Sequence, residues 1–205
     1  MHFKAIIPLF FLLSSFSLWA KTQIPSHTPF VKIGVLSHRG DAKTIKMWNP
    51  TANYLIAKLP QYDFEIVPLD FDEVELAVKH ATVDFILVNS GIYVNLEAQY
   101  SVTRLATMIN LRNHVAAYST FGGVIFTRSD RNDIKTLQDL KGKSFMAVDE
   151  TSLGGFQMAW RELNANNIDP YSDFSHLEFG GIHDDVVMSV VTGKVDAGTV
   201  RTDIL

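Results

Sequence analysis

Short apolar runs alternate with helical stretches along most of the chain, and this rhythm restricts it to a layered α/β fold. Val31, Ile33, Val35 and Leu36 mark a strand over Val31 to Ser37, and a helix is predicted over Lys43 to Leu59. Pro50 inside that span predicts a kink or a break, and Pro60 ends it. Phe64 to Leu69 reads as a strand, and Asp70 and Asp72 suit the start of a helix over Glu73 to His80. The apolar residues Val83, Phe85, Ile86, Leu87 and Val88 predict a strand over Val83 to Val88 buried on both faces, and Asn89-Ser90-Gly91 opens a helix to Ala98. A strand over Val102 to Ile109 and a polar turn from Asn110 to Asn113 lead into the second half. There, strands are predicted at Gly122 to Thr127, Ser144 to Val148, Phe174 to Phe179 and Val195 to Val200. Helices fall at Thr136 to Leu140, Gly154 to Asn164 and His183 to Val191. Two sets of such units, divided near residues 110–120, predict two α/β lobes with largely parallel sheets.

The N-terminus carries a targeting pattern. Lys4 precedes an apolar stretch from Ala5 to Trp19, and Ala20 offers a small residue before polar sequence resumes at Lys21. Residues 1–20 therefore read as a signal peptide and 21–30, with Pro25 and Pro29, as a linker. The stretch is short for a spanning helix, and Ser14, Ser15 and Ser17 dilute it, although an uncleaved anchor is the alternative. Both readings place the remainder in a periplasmic or extracytoplasmic compartment. With no cysteine, the exported part has no disulfides and no thiolate metal site, so its core must hold it together. With a net charge of −4, nothing in the sequence resembles a nucleic-acid footprint, which would need a basic face.

Three strand-to-helix turns are candidate ligand contacts, because ligands of open α/β sheets sit at the carboxyl ends of strands. They contain Ser37 and Arg39, then Asn89 and Ser90, then Thr151, Ser152 and Gly154. Each sets hydroxyl or amide side chains beside glycine at a helix N-terminus, whose free N–H groups favour an anion. Simple helix capping is the competing explanation for each turn. Trp48 and Tyr93 fall close to two of the turns. His183 begins another helix and supplies a donor, and Arg39 or Arg201 supplies positive charge. Enzyme motifs are missing: the sequence has no HExxH and no GxSxG. Lys141-Gly142-Lys143-Ser144 precedes a strand, where a P-loop would follow one. No cofactor and no catalytic residue is therefore assigned.

At these turns the chain resembles a known family. The segments "TLQDLKGKSFMAVDETSLGGF" and "GGIHDDVVMSVVTGKVDAGTV" resemble PhnD-type phosphate/phosphonate periplasmic binding proteins. "IGVLSHRGD", "WNPTANYL", "VDFILVNSGIYVNLEA" and "FGGVIFTR" resemble the PhnD-type input domains of tetrathionate-sensor-like histidine kinases and related receptors. The resemblance implies a two-lobed, type 2 periplasmic-binding-protein-like fold, C-terminally truncated here. It gives a first lobe over residues 31–113, lacking its C-terminal return, and a second over 114–205. It implies capture of a small anionic ligand, a phosphonate, phosphate or sulfur oxyanion, and no enzymatic activity. The partner would be a membrane sensor module or, alternatively, an ABC permease. By the same resemblance Thr151 and Ser152 match the hydroxyl pair that caps the oxyanion, His183 matches the motif histidine, and Ser90 lies at the first lobe's contact. Arg201 stands where members that hold an amino group place an acid, which argues against an aminophosphonate.

Overall fold

A computed structural model of the chain describes residues 28–112 and 116–205. The expected signal peptide and most of the expected linker lie outside the described residues. The first sheet is built from β1 (Phe30–Leu36), β2 (Asp63–Leu69) and β3 (Phe85–Leu87) in the order β2-β1-β3, all parallel. Alternation along β1 sends neighbouring side chains to opposite faces. Val35 packs with Ile66 and Ala52 of helix α1 (Asp41–Lys58), while Leu36 packs with Leu69, Val74, Ala77, Ile92 and Leu96. The latter four belong to α2 (Phe71–Lys79) and α3 (Ser90–Tyr100), so helices cover both faces of the sheet.

Local chemistry fixes the helix starts. Asp70 and Glu73 form a reciprocal capping box at α2, and the Asn89 side chain accepts from Ile92 N–H at 3.0 Å to cap α3. Helix α1 runs through Pro50 without the predicted break. Proline removes one hydrogen bond there, but Thr44 and Ala52 are buried on either side of it and hold the helix to the sheet.

Two expectations fail between the sheets. Val102 to Ile109 joins no ladder; it runs irregularly, with Leu105 77% exposed. Its composition favours a strand, but strand geometry persists only against a partner, and this segment has no partner strand among the described residues. The turn expected at Asn110 to Asn113 instead begins with β4 (Asn110–Arg112), which pairs antiparallel with β5 (Ala116–Tyr118).

The second sheet has the order β6-β9-β7-β8, from β6 (Gly123–Thr127), β7 (Ser144–Ala147), β8 (His176–Phe179) and β9 (Ala197–Arg201). β6 is antiparallel to β9, and the other pairings are parallel. Phe145 faces a core with Leu163 of α4 (Met158–Ala165), whereas Met146 faces Val186 and Val190 of α5 (His183–Val191). The expected helix at Gly154 starts as a π-helical turn over Leu153–Gln157 before α4, and that at Thr136 is a 3₁₀ turn, Leu137–Leu140. The family-like V-D-A segment has a structural role: Asp196 accepts from Ser144 N–H and Oγ–H, both at 2.8 Å, and pairs with Arg131. It thereby ties β9 to β7.

Candidate functional site

The carboxyl ends of β1, β3 and β9 and the turn after β7 open on one cleft of about 480 Å³ between the two sheets. From the first lobe, His38, Trp48, Asn89, Ser90 and Tyr93 line it. From the second, Phe121, Ser152, Gly154, His183 and Arg201 do so, and the irregular segment adds Thr103, Arg104 and Thr107.

The three candidate turns contribute unequally. In the third, the Ser152 Oγ accepts from Gly155 N–H at 3.2 Å, which leaves its hydroxyl proton free to donate. Thr151 is turned away: its N–H and its hydroxyl both donate to Asp149 Oδ1, at 2.8 and 2.6 Å. The expected hydroxyl pair is thus divided between cleft and loop. Gly154 is needed for close approach, since a Cβ there would stand 2.9 Å from Arg201 Cγ and 2.9 Å from the Phe121 ring. Gly154 lies in the π-helical turn that Ser152 caps, a departure from α-helix often associated with functional positions.

In the first turn Ser37 is buried, with its N–H donating to Leu69 C=O at 2.7 Å, and does not reach the cleft. Arg39 lies outside the cleft lining and spans the lobes instead: its Nη2 is 2.9 Å from Asp184 Oδ1, and Lys43 also pairs with Asp184. Burial alone would raise the Asp184 pKa, but Lys43 and Arg39 outweigh it and hold the carboxyl below its ordinary value. In the second turn Asn89 spends its side-chain oxygen on capping α3 while still lining the cleft, and Tyr93 O–H donates to Glu97 Oε1 at 2.5 Å.

His183 is 3% exposed and accepts at Nδ1 from Arg201 N–H, 3.3 Å away, so the neutral ring carries its proton on Nε2. Burial, then the nearby His38 and Arg201, push its pKa down to about 3. Arg201 leans 5.2 Å over the Phe121 ring and binds Asp203 through two hydrogen bonds, at 2.5 and 2.6 Å. The residue that sequence reasoning passed over is His38. Its ring meets that of His183 edge-on at 5.7 Å, and its C=O accepts the His183 N–H at 3.0 Å. The available signal was its place between Ser37 and Arg39, at a strand end already singled out. No group of three or more His, Asp or Glu side chains suited to a metal ion occurs among the described residues.

Comparison with known proteins gives a consistent set of likenesses. A family model described as "ABC transporter, phosphonate, periplasmic substrate-binding protein" matches residues 33–205. The tetrathionate sensor histidine kinase TtrS of Salmonella typhimurium is 35% identical over 162 residues, covering 79% of this chain and 27% of that protein. PhnD1 from Prochlorococcus marinus, solved with methylphosphonate, superposes with a TM-score of 0.72 at 18% identity, covering 87% of this chain and 65% of the other. A binding-protein component of an ABC phosphonate transporter from Pseudomonas aeruginosa gives a TM-score of 0.71 at 16% identity, covering 86% and 58%. At such identities the structural likenesses speak for the fold alone, that of type 2 periplasmic binding proteins. The chain spans about a quarter of the length of the sensor kinase and less than two thirds of each solved protein.

Proposed function

The chain belongs to the family of ABC-transporter phosphonate periplasmic substrate-binding proteins, and from that premise we propose that it captures a small tetrahedral oxyanion as the extracytoplasmic input domain of a membrane receptor. The observation that carries the reading is the convergence of the Ser152 hydroxyl, the His183 Nε2–H and Arg201 on one interlobe cleft. These are uncharged and charged donors of the kind an oxyanion requires, and hydrogen bonds to an ionised group are the stronger ones. The first lobe adds the N-terminus of α3, whose positive dipole end at Ser90 opens on the same cleft. Trp48 and Tyr93 supply the apolar wall for whatever the oxyanion bears.

In this reading the ligand bridges two lobes, and its binding energy biases them toward the closed arrangement. That closure is the signal passed to a membrane sensor module, and the 35% identity to a sensor kinase favours it. Export is ascribed to residues 1–20. A second reading, the solute-binding component of a phosphonate-type ABC transporter, is favoured by the family description and would take a permease as partner.

Thermal melting with methylphosphonate, phosphate, thiosulfate and tetrathionate, and with arginine as a cationic control, tests the shared core of both readings. A true ligand at a hundred times its Kd adds about 2.7 kcal/mol of apparent stability. If none of the oxyanions moves the midpoint, the oxyanion assignment fails. Deleting the gene separates the two roles: loss of ligand uptake marks a transporter, and loss of ligand-dependent transcription marks a receptor.

A further inference from the structure

His38 and His183 face the cleft with opposite hydrogen-bonding character. His38 Nδ1 lies 3.3 Å from Leu36 C=O, and a carbonyl only accepts, so the proton of this nitrogen points at the backbone. In a neutral ring that leaves Nε2 as a bare acceptor. His183 is the reverse: Nδ1 receives the Arg201 N–H, and Nε2 keeps its proton. Neither Nε2 has a protein partner among the described residues. Thr199 Oγ1 is the one fully buried side-chain polar atom there without a partner, so the two Nε2 atoms open on the cleft. We propose that His38 is a specificity-determining residue that accepts a hydrogen bond from a proton-bearing oxygen of the ligand, while His183 donates to an ionised oxygen of the same group. The cleft would then select a tetrahedral oxyanion that retains one acidic proton near neutral pH, as a phosphonate or phosphate does, over a fully ionised sulfonate.

The surroundings keep His38 in the neutral form this requires. Burial first, then the Arg201 guanidinium, lower its pKa, and Arg39 adds to them, while Asp203 and the Leu36 carbonyl oppose. The His183 ring at 5.7 Å is itself neutral. A ligand oxygen without a proton would set its lone pairs against those of Nε2, leaving a desolvated acceptor unsatisfied.

The inference rests on the oxyanion reading above and is tested separately from it. Methylphosphonate at about pH 6 is mainly a monoanion with one P–OH, and methanesulfonate has the same charge and shape but no acidic proton. Calorimetric titration of the chain should find methylphosphonate at least about tenfold tighter. In His38→Gln, whose amide can turn N–H or C=O to the ligand, the ratio should fall to within about threefold, mainly by tighter sulfonate binding. In the unaltered chain, methanesulfonate should bind progressively more tightly as the pH falls below the ordinary histidine value, where the lowered pKa places the protonation of His38, which then supplies the missing proton. That series decides the matter if the variant does not fold. Equal affinities for the two anions, an unchanged ratio in His38→Gln, or a sulfonate affinity indifferent to pH overturns the role of His38 and leaves the oxyanion site standing. Failure of both anions to bind at any pH removes the oxyanion reading and this inference with it.

Discussion

Replacing Asp184 by Asn should loosen the closed arrangement of the lobes without unfolding either one. Asp184 pairs with both Arg39 and Lys43, two cations of the first lobe, and it sits in the first turn of α5 in the second. The side chains are 37%, 56% and 23% exposed for Arg39, Lys43 and Asp184, so each pair is worth a fraction of a buried bridge. Partly exposed pairs contribute about 0.2–1 kcal/mol apiece, and the two together about 1 kcal/mol. That energy is roughly a fivefold change in the ratio of closed to open protein. Asparagine keeps the shape and a polar helix start, so the effect on folding should stay within about 1 kcal/mol. The chain has no cysteine, which makes Tyr54→Cys and Glu162→Cys clean sites for a fluorophore pair, one on each lobe. Single-molecule energy transfer in free protein should show the ratio of closed to open molecules falling by that factor, with ligand affinity weakened by up to about fivefold. If the distance distribution and the Kd stay as they were, the Asp184 pairs are surface decoration and the lobes are held by other contacts.

Other perturbations discriminate between neighbouring residues. Ser152→Ala should weaken oxyanion binding at least about tenfold and cost about 1 kcal/mol of stability as a lost cap, whereas Thr151→Ala should leave the Kd within about twofold; equal losses in titration would contradict the division seen in that turn. Gly155→Ala should lower the melting temperature sharply, because a Cβ would stand 2.5 Å from Val148 Cγ2 and 2.6 Å from Ser152 Oγ; overpacking of this kind costs about 1–3 kcal/mol, and a neutral result would mean the turn yields. Acid should destabilise the second lobe through His183, whose folded pKa is lowered to about 3 while the unfolded ring titrates near its ordinary value. The unfolded chain binds more protons in that window, so this contribution is fully present above the ordinary histidine pKa and is lost as pH falls toward about 3, at up to about 1.4 kcal/mol per pH unit. Denaturation series in His183→Asn should show a flatter acid limb; an identical limb would assign the acid sensitivity elsewhere.

The secondary elements were legible where apolar periodicity and burial agree. The helix over His183 to Val191 has the expected bounds because its acids start it and Val186 and Val190 face the core. The parallel pairing of Phe85 to Leu87 was legible but its burial was not: the strand expected to be covered on both faces is the short edge strand β3, where Phe85 is 47% exposed because β1 flanks it on one side only. Val102 to Ile109 misled because strand propensity is a statement about neighbours, and no partner strand is there among the described residues. Much of the cleft lining was also readable, since strand ends meeting helix starts converge by topology. What a linear reading could not supply is the direction of each side chain within a turn. Thr151 and Ser152 are adjacent, yet Asp149 captures the hydroxyl of one and leaves the other to the cleft. His38 acquires its meaning only from a histidine 145 positions later, whose N–H meets its carbonyl across the lobes.

That main-chain contact has a consequence for how such a binding domain diversifies. The His183 N–H to His38 C=O bond, 3.0 Å long, belongs to the peptide units, so among substitutions at the two positions only proline at 183, which lacks the N–H, deletes it. The geometry that joins the lobes is thereby uncoupled from the imidazoles that read the ligand. Side chains of similar size that fit these sites can replace either histidine while the main-chain docking of one lobe on the other stays the same. A lineage carrying this arrangement can retune its chemical vocabulary at those two positions and keep the way its lobes meet, acquiring new ligands without rebuilding the frame that holds them.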